Sequence, residues 1–107
     1  MYGAFVFNII KKGGIILMSK IDIELLDLES AIKLGIDNWS EWGCEVSKFD
    51  WYYDKSETCY ILEGDVLVIT DHEKVHIRDG MLVTFPEGLK CIWDVRKPIK
   101  KKYIFND

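Results

Sequence analysis

The sequence predicts an all-β domain, a sandwich or barrel with one short N-terminal helix. Three observations point there. From Cys44 onward, short apolar and β-branched runs are separated by closely spaced turn signals such as Asp71-His72-Glu73-Lys74, Asp79-Gly80 and Pro86-Glu87-Gly88. Lys74 to Arg78 alternates strictly, with Val75 and Ile77 on one face and Lys74, His76 and Arg78 on the other, the period of a half-buried strand. No apolar stripe of helical period occurs over residues 44–107.

The elements follow in order. Residues 1–17 form an N-terminal extension to a domain spanning 18–107. Tyr2 to Ile10 is mostly apolar, Lys11-Lys12-Gly13-Gly14 interrupts, and Ile15-Ile16-Leu17-Met18 follows. An edge strand, a disordered segment with Met18 as the true start, and a targeting element are the open readings. Neither apolar block approaches the ~20 residues that span a bilayer, and no membrane partner is expected. Ile21-Asp22-Ile23-Glu24-Leu25 alternates as a first strand. Leu28 to Leu34 makes two turns of helix, with Asp27 as N-cap and Gly35 as its stop. Trp39, Trp42 and Gly43 read as a polar, aromatic connector whose rings cover the end of the core. Strands are then expected over Cys44–Phe49, continuing or restarting at Trp51–Tyr53, and over Thr58–Leu62. Others follow over Val66–Thr70, Lys74–Arg78, Met81–Phe85 and Leu89–Val95. After a break at Lys97-Pro98, Lys100–Phe105 is the last. That makes about eight.

Composition narrows the function. A chain of 107 residues is one domain, and 49% apolar with 13% aromatic residues excludes disorder. A net charge of -4 argues against a nucleic-acid partner. Three cysteines without a CxxC make neither a disulfide framework nor a zinc finger, and reduced thiols fit a cytoplasmic protein.

Two spacings carry more. Glu57 stands seven residues before Gly64, and Gly80, Pro86, Gly88 and Cys91 form a second set. Together they resemble the two signature motifs of the cupin superfamily, over roughly Ile21 to Phe105. Phe49-Asp50-Trp51-Tyr52-Tyr53, Phe85-Pro86-Glu87-Gly88 and Lys101-Lys102-Tyr103 look most like the small single-domain branch related to the cupin domain of ureidoglycine aminohydrolase. The resemblance implies a jelly-roll barrel, often dimeric, so a homodimer is expected. It also implies a site at the positions of the motif's metal ligands. Here those positions hold Trp51, Tyr53, Glu57 and Cys91 in place of three histidines and a glutamate. An indole nitrogen only donates, and a phenol ligates poorly unless deprotonated. Glu57 and Cys91 alone fall short of the three ligands of a catalytic metal site. No cofactor is therefore expected, and a divalent Zn, Mn or Fe ion would need Tyr53 to join Glu57 and Cys91.

A pocket is expected without metal. Trp51 and Tyr53 share one strand face, and Cys91, Trp93 and Val95 share another. A jelly roll turning both inward lines a cavity with Trp51, Tyr53 and Trp93 as ligand-binding walls and Glu57 and Cys91 as the catalytic candidates. The competing reading is a narrow barrel filled by these rings, with Glu57 bonded to Tyr53 or Trp93. Cys44 and Cys59 read as core, and His72 and His76 as solvated. The basic cluster Arg96-Lys97 and Lys100-Lys101-Lys102 reads as a solvated strand edge, or as an attractor of anions at the barrel mouth. The expected function is binding of a small molecule in the barrel. An enzyme resembling ureidoglycine aminohydrolase, of unknown substrate, would be its catalytic form. A non-catalytic sensing module and a structural homodimer are the alternatives.

Overall fold

The structure, a computed structural model, describes residues 20–107. The expected extension over residues 1–17 lies outside the described residues. Strand β1 (Asp22–Leu25) leads to helix α1 (Leu28–Leu34), a 3-10 turn (Ile36–Asn38), β2 (Ser40–Cys44) and β3 (Ser47–Tyr52). Then come β4 (Ser56–Ile69), β5 (Lys74–Arg78), β6 (Met81–Phe85) and β7 (Lys90–Asn106). All seven strands join one antiparallel sheet ordered β1-β6-β4-β7-β2, with β5 on β4 and β3 on β7.

Two long strands make this sheet a jelly roll. β4 and β7 pair along their whole lengths, from Ser56 opposite Asn106 to Ile69 opposite Ile92. The first half of β4 carries β6 on its free edge, and the second half carries β5. On β7, β3 flanks Lys90–Val95 and β2 flanks Ile99–Tyr103. Register shifts between Ile61 and Val66 bend the ribbon there, so its two halves fold face to face. Gly64 sits at the bend with φ +124, and a Cβ there would lie 2.7 Å from the Ile99 Cα. Glycine is required on both counts.

The inward faces then close on one core. Val66, Val68, Ile77, Trp93 and Val95 meet Cys59, Ile61, Val83, Phe85 and Ile99, all nearly inaccessible. Among the described residues, α1 covers part of the outer side of the sheet. Asp27 caps that helix by accepting from the Ser30 N–H at 2.8 Å, and Gly35 ends it in the left-handed region. Ala31 and Ile36 pack on Tyr60, whose hydroxyl donates to the Leu26 carbonyl at 2.7 Å. Tyr60 is thus buried on the face opposite Cys59 and Ile61.

Three expected boundaries differ. Trp42 and Gly43 belong to β2 and not to a connector: Gly43 lacks the β signal because a Cβ there would meet the Ile99 carbonyl oxygen at 2.5 Å. Gly64-Asp65 is a bulge inside β4 rather than a turn between two strands. Lys97-Pro98 lies within β7, beside that bulge, where the missing proline N–H interrupts no regular ladder. Merging these runs reduces the expected eight or so strands to seven among the described residues.

Candidate functional site

The site begins with the alternation of β7. Cys91, Trp93 and Val95 point inward as expected, and beyond the bend Ile99 and Lys101 take up the inward phase. Lys101 is therefore buried, contrary to the expectation that the whole lysine run is a solvated edge. Opposite it, near the start of β4, Glu57 is also turned inward, paired across the ladder with Phe85 and Phe105. The Lys101 Nζ donates to Glu57 Oε2 at 2.6 Å, with the two side chains 7% and 6% exposed. Glu57 is thus held by a cation, not by Tyr53 or Trp93.

Rings enclose the pair. The Lys101 ammonium lies 4.8 Å from the Trp93 ring centroid, 5.3 Å from Trp42 and 5.5 Å from Tyr103, a three-sided cation–π cage. Trp42 meets Trp93 edge to face, and Phe49 stacks on Trp93 from its paired position on β3. Tyr53 stacks on Phe85 with centroids 4.5 Å apart and 8° between planes. Its backbone is pinned from both sides, donating to the Leu89 carbonyl at 2.9 Å and accepting from the Gly88 N–H at 2.6 Å. This places the Pro86-Glu87-Gly88 turn against the strand that carries Trp51.

Between these groups lies a cavity of about 220 Å³. Glu57 and Lys101 supply its charged wall, and Trp42, Phe49 and Trp93 its aromatic interior. Tyr53 and Tyr103 complete the lining, with the half-exposed Trp51 and Phe105 at the rim. Apart from the ion pair, every lining residue is aromatic. The Tyr53 hydroxyl and the Trp93 indole N–H are fully occluded, with no hydrogen bond of regular geometry among the described residues.

Of the five residues expected to line the site, Trp51, Tyr53, Glu57 and Trp93 come together here. Cys91 does not line this cavity. It is buried opposite Trp51 and borders a second, open depression of about 530 Å³, with Asp50, Ile69 and Lys90. The second depression lacks a buried charged pair and opens widely to solvent. Lys101, Trp42, Phe49, Tyr103 and Phe105 were not expected. The signal that reaches three of them is the choice of phase in the last strand: Ile99, Lys101, Tyr103 and Phe105 form a more apolar face than Pro98, Lys100, Lys102 and Ile104. The two histidines stay at the surface, as expected: His72 is exposed, and His76 is paired with Asp65.

The cupin resemblance raises the question of a metal, and these residues do not fit one. Trp51 has no lone pair to give. Burial, reinforced by Glu57, Cys59 and Cys91, holds the Tyr53 phenol protonated far above its ordinary range. Burial pushes the Cys91 thiol up to about 11, with Trp93 and Lys101 offsetting part of the effect. Glu57 is already engaged by an ammonium. Among the described residues no three His, Cys, Asp or Glu side chains gather to hold an ion. Cys59, deeper in the core, is pushed up to about 12 by burial, with Lys101 opposing and Glu57 adding.

Comparison with known proteins agrees with this architecture. No curated protein matches the chain. The crystal structure of a DUF861 family protein from Thermotoga maritima is 48% identical, covering 81% of this chain and all of that one, with a TM-score of 0.77. The EutQ protein of Clostridium difficile is 26% identical over 61% of this chain, with a TM-score of 0.57; this chain spans about half of its length (52%). The EutQ-like cupin domain family matches residues 32–103, which include both the glutamate and the lysine of the buried pair. The chain belongs to the EutQ-like cupin domain family.

Proposed function

We propose that the protein binds a small molecule in its barrel cavity, through the Glu57–Lys101 pair and the aromatic walls, with no metal taking part. The ion pair carries this reading. Desolvating two charges costs several kcal/mol per ion, and well-packed apolar residues in their place are often at least as stabilising. A buried carboxylate and ammonium on the wall of an aromatic cavity therefore point to use rather than to packing.

The test is a screen of one- and two-ring metabolites by ligand-observed NMR, with hits titrated calorimetrically against the wild type, Glu57→Gln and Lys101→Met. Hits on the wild type that weaken at least about tenfold in both variants are expected, the loss of one charge-assisted contact. Equal binding to all three proteins would remove the cavity as the site. A rise in the wild type's melting temperature on adding Zn, Mn or Fe would overturn the metal-free part of the reading.

A catalytic version has one observation in its favour. A carboxylate hydrogen-bonded to an ammonium at a cavity wall can take a proton from a bound substrate and return it, as hydrolysis of the ureidoglycine aminohydrolase type requires. In that version Glu57 is the acid/base and Lys101 holds its charge and orientation. Three free thiols support a cytoplasmic setting. The exposed Leu25, Leu28 and Leu34 around α1 support association as a homodimer.

A further inference from the structure

We infer that the cavity selects a flat, electrically neutral ring carrying an amide-type group, a hydrogen-bond acceptor beside a donor, over the carboxylate or ammonium of the same shape. This rests on the small-molecule binding proposed above and names the ligand class.

The charge balance comes first. Glu57 and Lys101 cancel, and no other lining residue bears a charge at neutral pH. A charged ligand would enter a largely aromatic enclosure with no counter-ion left to meet it, and an unpaired charge in such surroundings is costly. Three of the seven lining rings that could attract a cationic ligand already face a cation. Trp42, Trp93 and Tyr103 surround the protein's own ammonium. An anionic ligand would have to share that ammonium with Glu57, which holds it at 2.6 Å.

The hydrogen-bonding capacity left over is complementary to an amide. The only hydrogen bond of the Glu57 carboxylate among the described residues is through Oε2. Among the described residues Oε1 has no partner, and it is not among the occluded orphan atoms, so it remains open to the cavity as an acceptor. An ammonium has three N–H donors, and Lys101 uses one of them on Glu57. The pair therefore presents an acceptor next to a donor. An amide N–H meets Oε1 while its carbonyl takes an N–H of Lys101, and neither ion has to give up the other. The rings of Trp51 and Phe105, which meet their aromatic neighbours only edge to face, provide flat surfaces for the body of such a molecule. The volume, about 220 Å³, leaves room for a body of one or two rings.

Benzamide and benzoate share one planar shape, benzylamine is close to them in size, and the three differ in charge, so they serve as probes. Each is titrated into the full chain at pH 7 by ligand-observed NMR with calorimetry. A parallel series uses the Glu57→Gln/Lys101→Met double variant, with one-dimensional NMR as a check on its fold. Benzamide is expected to bind the wild type at least about tenfold tighter than either charged probe, and to lose that preference in the double variant. Benzoate or benzylamine binding as tightly as benzamide would overturn the ligand class while leaving small-molecule binding intact. A benzamide preference that survives in a folded double variant would overturn the role of the pair. If all three probes fail at millimolar concentration, the amide class is overturned; if the metabolite screen also yields no hit, the binding reading goes with it.

Discussion

Lys101 differs from Lys100 and Lys102 only in the direction its strand gives it. It points inward, loses almost all its water, and gains a carboxylate and three ring faces in exchange. Removing one member leaves the other charge buried and alone, which costs about 3–5 kcal/mol, whereas removing both is far less damaging. Urea denaturation of Glu57→Gln, Lys101→Met and the double variant is therefore expected to show strong positive coupling: the double variant is more stable than the sum of the two losses predicts. Additive losses would show that the two charges are not coupled. At this scale the site was half legible. Glu57, Trp51, Tyr53 and Trp93 follow from motif spacing and strand alternation. Lys101 was hidden because three consecutive lysines look solvated, although the alternation running from Cys91, Trp93 and Val95 through Ile99 turns it inward.

At the scale of the element, the bend in β4 and β7 organises the fold. Gly64 is in the left-handed region, and a Cβ there would press on the Ile99 Cα and the Pro98 carbonyl. Gly35, at the end of α1, is also left-handed but faces open space. The two glycines separate backbone strain from steric collision. Gly35→Ala is expected to cost about 1 kcal/mol, the left-handed penalty alone. Gly64→Ala is expected to cost more than about 2 kcal/mol, since backbone atoms have to move as well. Equal chemical-denaturation midpoints for the two variants would contradict the collision. Element types were readable over most of residues 20–107, because alternation and turn residues are local signals; the strand Ser40–Cys44, read as a connector, is the exception. The boundaries at Gly64 and Pro98 were not readable. Glycine and proline mark a turn and a bulge equally well, and only the partner strand tells them apart.

For the whole molecule, the fold class followed from strand spacing and motif resemblance, and the jelly roll agrees with it. What remained out of reach was how tightly the interior closes. That closure shows in three buried acids. Burial raises Tyr53, Cys59 and Cys91 alike, the thiols to about 12 and about 11 from an ordinary value of 9.0. An acid whose folded pKa is raised stabilises the fold fully below its unfolded value, and that contribution is lost as pH climbs through the folded value. Stability contributed by these groups should therefore hold up to about pH 9 and decline above it, Cys91 over the interval to about 11. Urea midpoints measured from pH 7 to 11 test this, and a flatter alkaline decline is expected for Cys91→Ala. A rise in stability across that interval would contradict the buried, protonated state.

The length of β7 also has a consequence for how the chain is made. β2, β3 and β4 all hydrogen-bond to a strand that follows them in the sequence. At roughly 5–20 residues per second, synthesis takes a few seconds to proceed from the end of β4 to the end of β7. Through that interval Trp42 and Phe49 lack the strand whose Trp93 they pack on. The nascent barrel is therefore a sticky, open-edged intermediate, and the order of its strands makes it a natural substrate for holding chaperones before its pocket exists.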